Sequence, residues 1–394
     1  MISVEEAIAL VTQHAQAKSE TEFVSVDKSL GKTLAADLIA PLSLPSFRQS
    51  SMDGYALNLH DSNSYSLTGE VKAGDASNPS LQPGEAVRIF TGAKVPDSSN
   101  AVVIQERVTK DGDKIILEIQ SKIGDNIRQI GEQIAEGITC LPKGHQINAS
   151  TIGLLKSLGM AEVKVKKSLR AAVVVTGNEL VEVGQSLEEG QIYESNSAVI
   201  ASALSTKGIQ DITHIKIKDN LQDTISQLGD ALEQNDLLLI SGGISVGDYD
   251  FVGKALQELK VEQVFYKVLQ KPGKPLFFGK RENTYVFALP GNPASTLTCF
   301  YIYVNLLIDL ISENSDPGLL RVKLPLAADY PNPVGRALFL KAKVKDSKVE
   351  ILDHQASSTM ISFAEANALA YIPTDQKENP AGSLIETILL PYGS

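Results

Sequence analysis

Apolar and polar residues alternate along this chain with a period that changes from segment to segment, and the changes predict its elements. Val4-Glu5-Glu6-Ala7-Ile8-Ala9-Leu10-Val11 has helical spacing. Ser3 and Glu6 stand in front of it as a capping-box pair, so a helix is expected to about Gln16. After Pro41 the helical period is lost, and Ser64 to Gln120 reads as strands and turns. Ala101-Val102-Val103-Ile104 and Lys114 to Ile119 flank Lys110-Asp111-Gly112-Asp113, which predicts a hairpin between them. Ser150 to Leu158 is helical again, with Gly159 just past its end. The first part therefore reads as a mixed α/β unit with a β-rich insertion.

From Leu169 onward strands and helices take turns. Ala171 to Val175, Leu237 to Ile240 and Val286 to Leu289 are continuous apolar runs, as strands buried on both faces require. Ile212 to Ile217 alternates and reads as a further strand. Helices are expected over Asn196 to Lys207, Leu221 to Leu232, Phe251 to Leu259 and Ala294 to Ile311. This order predicts an open parallel sheet with helices on both faces. Pro317-Gly318 ends the pattern. Leu320 to Leu324, Ala337 to Val344, Val349 to Leu352, Ala368 to Pro373 and Leu384 to Leu390 then predict a small β domain.

Composition changes this picture little. The 394 residues are 43% hydrophobic and 21% charged, which is globular rather than disordered. Lys plus Arg is 36 against 47 Asp plus Glu, a net charge of -11, which argues against a generic nucleic-acid binder. A local basic cluster can still hold a small anion. Cys140 and Cys299 are far apart and form no CxxC motif, and the histidines show no zinc-ligand spacing. The N-terminal stretch has no secretory pattern, and the most apolar run, Cys299 to Ile308, is too short to span a bilayer. A soluble, cytoplasmic protein with no membrane partner is expected.

Ligands of open α/β sheets bind beyond the carboxyl ends of the strands. Three segments should meet there: Thr176-Gly177-Asn178-Glu179, Ser241-Gly242-Gly243 with Gly247-Asp248-Tyr249-Asp250, and Pro290-Gly291-Asn292-Pro293. Gly242-Gly243 would let backbone N–H groups approach a phosphate. The plain alternative is a strand-to-helix turn, and for Asn292 and Pro293 a helix cap and first turn. Glu179, Asp248 and Asp236, at the start of the Leu237 strand, are hard oxygen ligands for Mg²⁺. They are expected to converge on one sheet edge. Lys271-Pro272-Gly273-Lys274-Pro275 is a rigid cationic turn, with Lys260, Lys267, Lys280 and Arg281 nearby. Asp53-Gly54 and Thr91-Gly92 are ambiguous from spacing alone.

Read together, these segments resemble the molybdopterin molybdotransferase family, that of MoeA and the matching domain of gephyrin. Ser50 to Ala56, Arg88 to Ala93, Thr176 to Leu180, Ser241 to Gly247, Lys271 to Pro275 and Pro290 to Pro293 fit its motifs in one order. Gln355 to Ser358 and Ala366-Asn367 with Leu369 also fit. The resemblance implies a mixed N-terminal domain (1–45 and 130–168) and a β-rich inserted domain (46–129). A three-layer molybdopterin-binding α/β domain (169–314) and a small C-terminal β-barrel (319–394) follow. It implies a homodimer that inserts molybdenum from molybdate into adenylylated molybdopterin, with Mg²⁺ and release of AMP. Glu179, Asp236, Asp248 and Asp53 carry over as catalytic acids, with Glu179 and Asp236 on the metal. Thr91, Thr176, Gly177, Asn196, Ser241, Gly242, Gly243, Pro290, Gly291, Asn292 and Pro293 would bind molybdopterin. Asp53 and Thr91 would reach the site from the partner subunit. Lys271, Lys274, Lys341 and Ser357 would hold molybdate. Lys341 stands where the family has arginine, with Arg336 nearby as the alternative source of a guanidinium fork. Two rivals are a molybdopterin adenylyltransferase, which shares the α/β domain and could also be a partner, and a non-catalytic scaffold.

Overall fold

The computed structural model describes residues 1–244, 251–333 and 335–391. The chain forms two compact units. One holds Met1–Ala36, Lys143–Gly153 and Ala161–Ser394, and the other Asp37–Pro142 and Leu154–Met160.

The second unit is built on a six-stranded sheet. Its order is Ala101–Ile104, Gly54–Leu57, Glu85–Ile89, Ser64–Val71, Lys114–Leu117 and Val108–Asp111. Period-2 alternation sends Ala56, Val87, Ile89 and Val102 to one face and Leu57, Tyr65, Ala86 and Val103 to the other. The expected hairpin is shifted. Gly112-Asp113 joins Val108–Asp111 to Lys114–Leu117, whereas Ala101–Ile104 pairs with Gly54–Leu57. Gln105–Arg107 forms a 3₁₀ turn that separates the two stretches. Leu38–Ile39 pairs with Thr139–Leu141, so residues flanking the expected 46–129 insertion belong to this unit too.

In the first unit, Ser3 accepts a hydrogen bond from the Glu6 N–H at 3.1 Å and starts helix α1, Val4–His14. The α/β strands are β1 (Ala171–Thr176), β2 (Ile212–Ile217), β3 (Leu237–Ser241), β4 (Glu262–Tyr266), β5 (Gln270–Lys271), β6 (Phe277–Arg281) and β7 (Thr284–Leu289). The sheet order is β2-β1-β3-β7-β6-β4. The first four are parallel, but β6 runs antiparallel to both its neighbours, β7 and β4, so the sheet is mixed rather than all-parallel. Ala171 and Val173 face one core, and Ala172 and Val174 the other. Helices α2 (Asn196–Ser205) and α3 (Leu221–Gln234) lie on opposite faces, with Ile200 and Leu204 in the first core and Leu228 and Leu232 in the second. Each fully buried Leu or Ile contributes about 1.5–3 kcal/mol, which fixes the three layers.

The last α/β helix runs from Pro293 to Ile311 with a π turn at Phe300–Val304. It is long and apolar, and it is buried in the core of the unit. At its end Asp309 is 1% exposed. It pairs with Lys207 at 2.6 Å and accepts from Asn305, Asn314 and the Gly318 N–H.

The C-terminal sheet comprises β8 (Arg321–Pro325), β9 (Ala337–Lys345), β10 (Lys348–Ile351), β11 (Ala368–Ile372) and β12 (Leu384–Leu389). Its order is β5-β9-β11-β12-β8, with β10 on β9, and a Leu326–Val349 bridge brings the end of β8 round to β10. The sheet thereby curls into a small barrel. One face joins the α/β core through Phe339, Leu369, Tyr371 and Ile388. Strand β5 is the junction, because Gln270 and Lys271 pair with Ala337 and Leu338.

Candidate functional site

A cavity of about 820 Å³ opens where β1, β3 and β7 end. All three expected segments reach it. Thr176, Gly177 and Glu179 follow β1, Ser241, Gly242 and Gly243 end β3, and Pro290, Gly291 and Asn292 follow β7. Lys271, Lys274, Arg336 and Ser357 line it too. Parallel strands place every such loop at one edge, so segments distant in sequence become neighbours.

Gly242 makes the floor possible. It has φ +93°, and a Cβ there would stand 2.7 Å from the Thr176 carbonyl oxygen. Asn196 donates to Ser241 Oγ at 2.8 Å and to the Gly291 carbonyl at 2.7 Å, which ties the β3 and β7 loops together. Both amide hydrogens of Asn196 are then used. Its Oδ1 and the Thr176 hydroxyl are buried without a hydrogen-bond partner among the described residues. Leaving a buried polar group unpaired costs about 1–3 kcal/mol, so both atoms suit a polar ligand in the cavity.

Asn292 does not cap its helix through its side chain. Its Nδ2 donates instead to Ser357 Oγ at 2.8 Å, which joins the β7 loop to the C-terminal domain. Ser357 sits in a loop held from below by Lys341.

Lys341 is not in the cavity. It is 3% exposed, and its Nζ donates to the carbonyls of His354, Ala356 and Thr359 at 2.8, 3.1 and 3.2 Å. Burial lowers its pKa, and three carbonyls satisfy its three donors. It shares a strand face with Ala337 and Phe339, which point into the core. The guanidinium on the cavity wall is that of Arg336.

Asp236 also lies elsewhere. It precedes β3, so it sits at the amino edge of the sheet, while Glu179 follows β1 at the carboxyl edge. A five-residue strand separates the two edges by about 15 Å, too far for one metal ion. Asp236 pairs with Lys18 at 2.7 Å and Arg170 at 3.5 Å. Lys280 and Arg281 line a separate depression beside it, so the cations near the Lys271 turn do not form one island. Among the described residues, the acid that accompanies Glu179 is Asp219, just after β2, which lines the cavity and accepts from the Asn178 N–H at 3.3 Å. Its place after a parallel strand was the signal for it. Asp248 lies outside the described residues.

Burial alone would raise the Asp236 pKa. Hydrogen bonds from Lys18 and from the backbone and guanidinium of Arg170 outweigh it and lower the value. The folded value is below the unfolded one, so this stabilisation is present above about pH 4 and is lost as pH falls through the folded value. Asp236→Asn should therefore leave catalytic turnover unchanged. In thermal melts over a pH series, its stability deficit should shrink in acid. A large loss of turnover at neutral pH would restore Asp236 to the site.

In the second unit, Asp53 accepts from both the N–H and the hydroxyl of Thr91, each at 2.7 Å. The backbone bond is the larger cause of its lowered pKa. Asp53 is exposed and ionised, and Thr91 fixes its direction.

Three family models cover nearly the whole chain in order. The MoeA N-terminal region (domain I and II) matches residues 2–159, the probable molybdopterin binding domain 172–309, and the MoeA C-terminal region (domain IV) 323–390. The molybdopterin molybdenumtransferase of Staphylococcus epidermidis is 30% identical over 100% of this chain and 96% of its own length. That of Haemophilus influenzae is 39% identical over 78% of this chain and 77% of its own. A crystal structure of the molybdopterin biosynthesis moeA protein from Pyrococcus horikoshii OT3 is 26% identical, with a TM-score of 0.79 over 99% of this chain and 100% of that one. Fold and cavity thus define a multidomain protein built round an α/β domain of the molybdopterin-binding type. The chain belongs to the MoeA family.

Proposed function

We propose that the cavity is where molybdenum passes from molybdate to adenylylated molybdopterin, with AMP as the second product. The role in molybdenum cofactor biosynthesis comes with the family. The observation that carries the placement is the cavity lining: the two lysines of the β5 turn and Arg336, just before β9, meet a glycine floor and the acids Glu179 and Asp219 at the sheet edge.

The division of labour follows from charge. Gly242 and Gly243 leave backbone exposed for the anhydride phosphates. Asn196 Oδ1 and Thr176 Oγ1 offer acceptors to the pterin's N–H groups. Lys271 and Lys274 attract the molybdate dianion, and Arg336 can grip two of its oxygens. Ser357 and Asn292 close that end. The pterin brings both thiolates, so no cysteine ligand is needed.

Mg²⁺ fits the opposite end. No cluster of three metal-ligating side chains exists among the described residues. Magnesium usually takes one or two carboxylates and completes its shell with water and substrate phosphate. Glu179 and Asp219 are the acids that would hold it, with Asp248 as a further acid for the same role. When bound, the ion would polarise the phosphate whose bond to AMP breaks. Asp53, oriented by Thr91, would serve the site of a partner subunit in a homodimer. An adenylyltransferase must make the substrate and is a natural partner.

The test is to mix the purified protein with adenylylated molybdopterin, Mg²⁺ and molybdate. AMP should appear with molybdenum insertion. Arg336→Ala should raise the half-saturating molybdate concentration about tenfold, equivalent to about 1.4 kcal/mol. An unchanged value would remove Arg336 from the oxyanion site.

A further inference from the structure

The cationic turn Lys271-Pro272-Gly273-Lys274 rests on one buried amide. Gln270 is 0% exposed. Its Nε2 donates to the carbonyls of Pro272 at 3.0 Å and Gly273 at 3.3 Å, and approaches Cys299 Sγ at 3.5 Å. Its Oε1 accepts from the Tyr303 hydroxyl. Tyr303 belongs to the π turn of the Pro293–Ile311 helix, and Cys299 lies four residues before it.

The turn is packed closely onto this group. Gly273 has φ +85°, and a Cβ there would stand 2.5 Å from Cys299 Sγ and 2.9 Å from Gln270 Nε2. The Gln270 backbone also pairs with Ala337, the residue after Arg336. One residue therefore holds the two carbonyls that lie between the lysines in sequence and pairs with the strand that begins just after Arg336.

We propose that Gln270, oriented by Tyr303, is a positioning residue that sets oxyanion affinity by holding the turn carrying Lys271 and Lys274 in its binding shape. Gln270 is fully buried behind the turn. It acts through the Pro272 and Gly273 carbonyls, which fix where the two flanking lysines start. Burial pushes the Cys299 thiol up to about 12 and the Tyr303 hydroxyl well above its ordinary value, so neither ionises near neutral pH. The clamp is therefore a fixed device rather than a switch. This role rests on the reading of Lys271 and Lys274 as the molybdate ligands.

The experiment measures molybdate binding to the full-length protein by calorimetry, together with the steady-state constants for insertion. The variants are Gln270→Met, which keeps length and volume, Tyr303→Phe, and Lys274→Ala. Gln270→Met should weaken molybdate binding about tenfold, with turnover at saturating molybdate and the half-saturating molybdopterin concentration unchanged. Tyr303→Phe should weaken it in the same direction but less. Because the clamp acts through the turn, Gln270→Met and Lys274→Ala together should cost less than the product of their separate effects. If Lys274→Ala weakens binding while folded Gln270→Met and Tyr303→Phe bind as the parent does, the clamp is overturned. A fall in turnover with unchanged molybdate affinity also overturns it. If Lys274→Ala itself leaves binding unchanged, the assignment of the turn to molybdate fails instead. Should Gln270→Met not fold, Tyr303→Phe decides.

Discussion

Glu179→Gln should leave the protein folded and reduce AMP release by about 10²–10³-fold, the usual cost of losing one preorganised charge at a reacting centre. Glu179 is exposed, and its carboxylate has no ion-pair or hydrogen-bond partner among the described residues. Its loss should therefore shift stability by no more than about 0.5 kcal/mol. The side chain folds back over Gly177, where a Cβ would meet its Oε2 at 2.6 Å, so a bare backbone sets where the carboxylate stands. Glutamine keeps the shape and removes the charge. Single-turnover AMP release across a Mg²⁺ series separates two roles for the carboxylate. If it is a ligand, the metal requirement rises and excess Mg²⁺ restores part of the rate. If it moves a proton, the rate stays low at every Mg²⁺ concentration. Parental release at limiting Mg²⁺ would exclude both roles.

Asp309→Ala should cost about 3–5 kcal/mol, because it leaves a partly buried lysine charge without its partner. Lys207 is 10% exposed at its side chain and Asp309 1%. The same carboxylate accepts from Asn314 and Gly318, so the deletion also frees the chain leading into the C-terminal barrel. Urea unfolding should show the midpoint fall with little change in slope. The control is the pair Asp309→Leu and Lys207→Met made together. Two apolar groups leave no stranded charge, so the double variant should recover much of the loss. Equal loss in single and double variants would mean that the ion pair is not the cause.

The α/β centre was legible because strands buried on both faces must be continuous apolar runs, and Ala171–Thr176 and Leu237–Ser241 are such runs. Strands β4 and β6 were not. Glu262-Gln263 and Lys280-Arg281 put charges at strand ends that leave the core, and these charges hid Phe265, Phe277 and Phe278. The cavity loops were legible from topology alone. Asp236 was misplaced although its position was decisive, since a residue before a parallel strand faces the far edge. Asp219, after β2, follows from the same rule. Lys341 could not be settled by pattern, because β9 is buried on both faces and a lysine there reads as a cavity cation. Only the three carbonyls round its ammonium show that its charge is spent inside. Gln270 gives no sequence signal at all, because a glutamine before a charged turn looks like surface.

The pairing of β5 with β9 has a consequence for the order in which the site comes into being. Lys271 and Lys274 are made well before Arg336 and Ser357, with the last α/β strand, the core helix and β8 between them. At about 5–20 residues per second on the ribosome, the sheet edge with Gly242 and Glu179 can fold seconds before the strand that anchors the cationic turn has emerged. The chain thus passes through a stage in which the glycine floor of the cavity can be in place while the wall of Lys271, Lys274 and Arg336 is not.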